Sequence, residues 1–152
     1  MGYSTDFEGE FKLDKPLHPK IFYFLNKLAE TRRMKRKLPE ELYGIEGEFY
    51  IYGGQSGFSD DGTPDVIDSN APPSTQPARW LQWITNEKGT AIEWDQGEKF
   101  YEYEAWLRYL IDKILAPNGY VMNGEVKWQG ESMDDRGLLI VKNNKLKIKE
   151  LE

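Results

Sequence analysis

The chain has 152 residues, of which 39% are hydrophobic and 30% are charged, as is typical of one globular domain rather than of a disordered segment. Its formal net charge of −6 argues against general binding to nucleic acids. The absence of cysteine excludes disulfides, thiolate metal sites and cysteine nucleophiles. The sequence shows no secretory signal pattern and no apolar run long enough to cross a membrane, so we expect a cytoplasmic protein without membrane contacts.

The first half of the chain predicts a strand, a helix, a second strand and a long loop. Alternating residues predict a strand over 7–13, and apolar residues at helical spacing predict a helix from about 19 to 37. A strand is predicted over 47–52. The loop at 53–77 follows, with four Gly, four Pro and four Asp among its 25 residues. Loops of this length in compact domains are usually functional or disordered.

The second half predicts a hairpin, a helix and three strands. The hairpin pairs 80–85 with 90–94, and the helix runs from about 98 to 115 with one apolar stripe. Three further strands are predicted, at 120–129, 138–142 and 146–151.

The two halves have a similar order of elements. In each half an aromatic-rich helix is followed by a strand that opens on Gly-Glu, at Gly47 and at Gly124, which suggests a β-α-β-β duplication. The predicted fold class is α+β, with a single largely antiparallel sheet and two amphipathic helices packed on it. We expect one domain over 1–152.

The main electrostatic feature is the basic segment 31–37, which holds five of the twenty basic residues and no acid. Arg32, Arg33 and Arg36 carry guanidinium groups, which suit bidentate capture of phosphate. The predicted helix would place Arg32 and Arg36 on one face. A solvated helix end, where the dipole favours cations, explains any single Arg equally well. The whole cluster, in so acidic a chain, favours an anionic ligand.

Two tryptophans are the second candidate feature. Trp80 and Trp83 lie three residues apart in a predicted strand, so we expect them to project to opposite faces. One is expected to pack in the core, and the other to lie beside the end of the long loop, where it can stack on a base or ring. Asn70 and Gln76, at that loop end, are predicted to contribute to the same ligand site.

The sequence contains no recognisable catalytic or metal-binding motif. The only histidine, His18, stands at a predicted helix start, where a capping or surface role is expected. The aspartates of the long loop miss the spacing of a calcium loop. No catalytic residue, metal or cofactor is therefore predicted. Carboxylate pairs such as Glu93 with Asp95 leave acid–base catalysis open.

Several stretches resemble a family of small uncharacterised proteins of bacteria and phages. The matching stretches are 1–7, 30–36, 70–77, 80–83, 93–95, 98–101 and 123–131. The resemblance brings no established activity. Cysteine is usual in that family where this chain has Leu81, which argues against thiol chemistry there. The resemblance includes the basic segment, the loop end and the tryptophan pair, which a nucleotide pocket would need.

The first hypothesis is a non-catalytic binder of an anionic, nucleotide-like small molecule, by analogy with phage proteins that sequester nucleotide immune signals. Arg32, Arg33 and Arg36 would hold phosphate, Trp80 or Trp83 would stack on the base, and the long loop would close over both. The alternative is an acidic protein-interaction module that inhibits a host enzyme. The third hypothesis is a carboxylate-dependent hydrolase or transferase. The sequence leaves the ligand's identity and the oligomeric state open.

Overall fold

The computed structural model describes residues 2–30, 72 and 77–151, together with the backbone of 35–36 and 66–68. The elements in chain order are β1 (Thr5–Leu13), α1 (Pro19–Glu30), β2 (Lys35–Arg36), β3 (Val66–Asp68), β4 (Trp83–Thr85), β5 (Ala91–Trp94), α2 (Tyr103–Tyr109), β6 (Met122–Gly130), β7 (Arg136–Lys142) and β8 (Lys145–Glu150). After α2 the helix continues as a π-helix over Leu110–Leu115.

Six strands form one sheet in the order β4-β5-β1-β6-β7-β8, and each pair of neighbours is antiparallel. The α+β prediction, with an antiparallel sheet and two helices, is therefore confirmed. The central strand β1 pairs with β5 on one side and β6 on the other. Since alternate residues of a strand point to opposite faces, the register determines which side chains share a face.

One face of the sheet, which we call the inner face, is apolar and buried. Phe7 lies opposite Trp128, and Phe11 lies opposite Ile92. Phe7 makes edge-to-face contacts with four rings, at centroid distances of 5.0–5.8 Å: Trp83, Trp94, Phe100 and Tyr103. Such pairs contribute about 0.5–1.5 kcal/mol each beyond the area they bury.

The two helices cover the inner face. α1 buries Phe24, Leu25 and Leu28, and α2 buries Trp106 and Leu107. These side chains belong to the same hydrophobic cluster as the inner face of the sheet. The opposite, outer face carries charged residues of the central strands, so both helices pack on one side.

Both helices are shorter than the sequence predicts. α1 ends at Glu30, and Lys35–Arg36 forms the strand β2, which pairs with β3. The prediction that Arg36 lies on a helix is wrong, because strand pairing with β3 overrides the favourable helix propensity of Lys and Arg. α2 starts at Tyr103 because Lys99 and Glu102 adopt the left-handed conformation, which interrupts a helix.

Some predicted elements lie outside the described residues. They include the strand at 47–52, on which the suggested duplication depends, and most of the loop at 53–77. Within that range the structure has the short strand β3, at Val66–Asp68. The single-domain organisation and the duplication stay predictions.

Gly9, on β1, is packed too closely to accept a side chain. Its φ is +116°, and a Cβ there would lie 2.5 Å from the backbone oxygen of Glu125. We expect Gly9→Ala to lower the free energy of unfolding by about 1–3 kcal/mol, because overpacking and backbone strain add. Urea denaturation measures this. Lys12→Ala, an exposed change on the same strand, is the control, and an equal effect of both variants would contradict the prediction.

Candidate functional site

A cavity of about 260 Å³ opens beside Trp80. We call it the Trp80 cavity. It lies between the segment that leads into β4 and the segment that leads into α2, and its lining residues are Ala78, Arg79, Trp80, Gln82, Glu98, Lys99 and Tyr101. The outer sheet face also has a larger depression of about 580 Å³, whose described lining includes two acids, Asp6 and Glu8, and one cation, Lys127. That balance does not suit an anion.

The core holds both walls of the Trp80 cavity in place. Leu81 and Phe100 are 1% and 2% exposed, and each lies between two residues that line the cavity. Phe100 contacts Phe7 and Trp83, with ring centroids 5.8 Å and 5.2 Å apart. Because Leu81 and Phe100 point into the core, the side chains on either side of each residue face the cavity.

Hydrogen bonds of Gln82 join the two walls directly. The Gln82 side-chain amide Nε2 donates to the backbone oxygen of Glu98 at 3.0 Å, and the Asp95 N–H donates to the Gln82 backbone oxygen at 3.0 Å. The first bond fixes which end of the Gln82 amide faces Glu98, since a flipped amide would set two oxygens against each other. The distance between the walls is therefore set by specific contacts.

The Trp80 cavity combines positive charge with aromatic surface. Arg79 and Lys99 come from opposite walls, and each carries one positive charge at neutral pH. Trp80 is half-buried, whereas Tyr101 is 44% exposed. Among the described residues that line the cavity, Glu98 is the one acid. The lining can therefore attract an anion and stack on a flat ring.

The N-terminal segment supports the Tyr101 side of the cavity. The Tyr3 N–H donates to the Tyr101 hydroxyl oxygen at 3.1 Å, and the Tyr3 hydroxyl donates to Asp135 Oδ2 at 2.7 Å. A Cβ on Gly2 would clash with the Tyr101 hydroxyl. The same Asp135 carboxylate accepts a hydrogen bond from Trp128 Nε1 at 2.9 Å, which ties the segment to β6.

Tyr103, at the start of α2, stays protonated near neutral pH. Burial raises the pKa of its hydroxyl well above the ordinary value, and the negative charge of Asp135 raises this pKa further. A tyrosine in this state can donate a hydrogen bond but does not serve as a general base.

The structure separates the two predicted tryptophans. Trp80 lines the cavity, but it precedes β4, so the prediction that it lies in a strand with Trp83 is wrong. Trp83 is 2% exposed, in the core, and its Nε1 donates to the Tyr103 backbone oxygen at 2.9 Å. Arg36 lies in β2, and only its backbone is described. The other predicted site residues lie outside the described residues: Arg32, Arg33, Asn70 and Gln76.

The outer face of the sheet carries a row of glutamates. Glu10 on β1 lies directly opposite Glu93 on β5 and Glu125 on β6. Like charges directly opposite on neighbouring strands destabilise a sheet, so this row is not explained by fold stability. We call these three residues the glutamate row.

Metal binding and membrane spanning find no support in the described residues. Within the residues that the structure describes, no three potential ligands come together in a group that could hold a metal ion. In the same residues, no helix has the length and apolar character needed to span a membrane.

Comparisons with protein families, with curated proteins and with solved structures gave no match for this chain. The resemblance to a bacterial and phage family therefore stays a prediction.

Asp95, beside the Trp80 cavity, makes stability depend on pH. Burial raises the pKa of its carboxyl above 3.8, and the hydrogen bond from the Gly97 N–H partly opposes this. The folded chain therefore binds this proton more tightly than the unfolded chain, so stability falls as pH rises from 3.8 through the raised pKa.

We expect Asp95→Asn to raise the free energy of unfolding at pH 7 more than at pH 3. Asn keeps an oxygen for Gly97 and removes the charge. Denaturation of both proteins at the two pH values measures the difference. An equal effect of the substitution at both pH values would show that the charged form of Asp95 does not destabilise the fold.

Proposed function

We propose that the protein is a non-catalytic binder of an anionic, nucleotide-like small molecule, and that the Trp80 cavity is its binding site. The main support for the proposal is that two cations, Arg79 and Lys99, and two aromatic residues, Trp80 and Tyr101, line one small cavity. A hydrogen bond from Gln82 to Glu98 joins its walls. A cytoplasmic location, where nucleotides are available, is part of the proposal.

Each side chain of the site has a distinct role in this proposal. Trp80 stacks on the base, an interaction that contributes about 1–3 kcal/mol per base and tolerates any base. Arg79 binds phosphate oxygens through its planar fork of N–H donors, and Lys99 adds a second, compact charge. Tyr101 offers a hydroxyl at the rim.

The lining supports binding rather than catalysis. Glycoside hydrolysis by carboxylates uses two such groups in one site, and among the described lining residues Glu98 is the one carboxylate. His18 has a structural contact, since its Nδ1 accepts a hydrogen bond from the Lys20 N–H at 3.1 Å. This histidine does not line the cavity.

We propose that the basic segment 31–37 supplies further positive charge to the ligand site. β2 pairs Arg36 with Val66, so the basic segment and the predicted long loop are neighbours at this point. β3 ends at Asp68, and the continuously described part of the chain resumes at Pro77, which directly precedes Ala78 of the cavity wall. Arg32, Arg33, Asn70 and Gln76 are proposed to complete the site from these segments.

A second candidate function, an acidic protein-interaction module, is favoured by the glutamate row. Three carboxylates in register on an open sheet face would suit a basic surface on a partner protein. Binding of this kind would weaken steeply with added salt, because exposed charges are screened over about 8 Å at physiological ionic strength.

Substitution of the cavity cations tests the proposed function. We expect Arg79→Ala and Lys99→Ala each to weaken binding of a nucleotide about ten- to a hundredfold, since a hydrogen bond to a charged group contributes about 1.5–3 kcal/mol and about 1.4 kcal/mol is one decade of affinity. Calorimetric titration with a panel of mononucleotides and cyclic dinucleotides measures this. The bound nucleotide should be recovered chemically unchanged after heat denaturation.

Two control variants separate the alternatives. Lys113→Ala removes an exposed cation outside the cavity and should leave binding unchanged. Glu10→Lys should also leave it unchanged, whereas an interaction module would lose its partner through this charge reversal. Normal binding by both cavity variants would refute the site, and a chemically altered nucleotide would place the protein among enzymes.

A further inference from the structure

The volume of the Trp80 cavity limits the size of its ligand. The cavity measures about 260 Å³, which lies just below the roughly 300–1,000 Å³ of pockets that enclose drug-sized molecules. Such a space accepts one ring system with the sugar or phosphate near the opening. Two bases joined through a phosphate ring would need more room.

The positive charges of the lining favour a phosphate on the ligand. Arg79 and Lys99 supply two positive charges and Glu98 one negative charge, so the described lining sums to +1. A phosphomonoester, which carries about −1.5 to −2 at neutral pH, is attracted to this pair of cations.

Glu98 adds a requirement for hydrogen-bond donors. An ionised carboxylate only accepts hydrogen bonds, and it repels an anion that brings no donors. Ribose hydroxyls and base N–H groups are such donors, whereas an inorganic phosphate dianion presents mainly acceptor oxygens. The ligand therefore needs a donor-rich part as well as a phosphate.

We infer that the Trp80 cavity selects a nucleoside monophosphate over a cyclic dinucleotide or free phosphate. This inference rests on the proposed function and names the ligand class of the same site. Base stacking on Trp80 and charge pairing with Arg79 and Lys99 give affinity, and cavity size together with Glu98 gives selectivity.

Calorimetric titration of the full chain tests the inference with three kinds of probe: the ribonucleoside monophosphates, two cyclic purine dinucleotides and inorganic phosphate. The best monophosphate should bind at least tenfold more tightly than any probe of the other kinds. Glu98→Ala should reduce the preference for the monophosphate over inorganic phosphate by about tenfold. This variant keeps the backbone oxygen that accepts from Gln82.

The outcomes distinguish this inference from the proposed function. A cyclic dinucleotide that binds as tightly as the best monophosphate would overturn the inference and leave the proposed function standing. Equal binding of inorganic phosphate, or an unchanged preference in Glu98→Ala, would remove the role given to the nucleoside part. No binding by any probe would overturn the proposed function itself.

Discussion

The packing of four aromatic rings around Phe7 is the interaction on which the rest of the structure depends. Phe7 lies in the central strand, and its partners come from β4, from β5, from α2 and from the segment before α2. Edge-to-face contacts are directional, so they fix the orientation of these elements as well as their burial. The second helix is thereby held on the inner face of the sheet, against strands β1, β4 and β5.

The Trp80 cavity is a consequence of this packing. Phe100 reaches inward to Phe7, and Leu81 is buried on the opposite wall, so the residues beside them face outward across a small gap. The bond from Gln82 to the Glu98 backbone sets the width of that gap. A cavity formed by the neighbours of core residues is preformed, and a preformed cavity lowers the entropic cost of binding a ligand.

The sequence predicts the parts of the fold that depend on local periodicity. Alternation places β1 within two residues of its observed start, and helical spacing finds both helices. The end of α1 is not predictable in this way, because Lys35 and Arg36 pair with β3, far along the chain. The start of α2 is also not predictable from the sequence. Lys99 and Glu102 adopt the left-handed conformation, and neither is a glycine, the residue that usually signals this conformation.

The site could be predicted only in part, because it also depends on contacts between separate segments of the chain. Trp80 stands out in the sequence as a residue that can stack on a base, whereas Lys99 and Glu98 resemble ordinary helix residues. They join Trp80 because Gln82 and Phe100 bring two distant segments together, and this tertiary contact has no local pattern. Periodicity predicts helices and strands, but it does not show which exposed side chains will lie close together in the folded chain.

Native mass spectrometry of the purified protein can show whether the Trp80 cavity holds an anionic small molecule. The wild-type chain should carry an added mass that is lost on denaturation. Trp80→Ala should carry much less of it, while circular dichroism shows that the fold is retained. Identical spectra for the wild type and Trp80→Ala, with or without added nucleotides, would contradict the account.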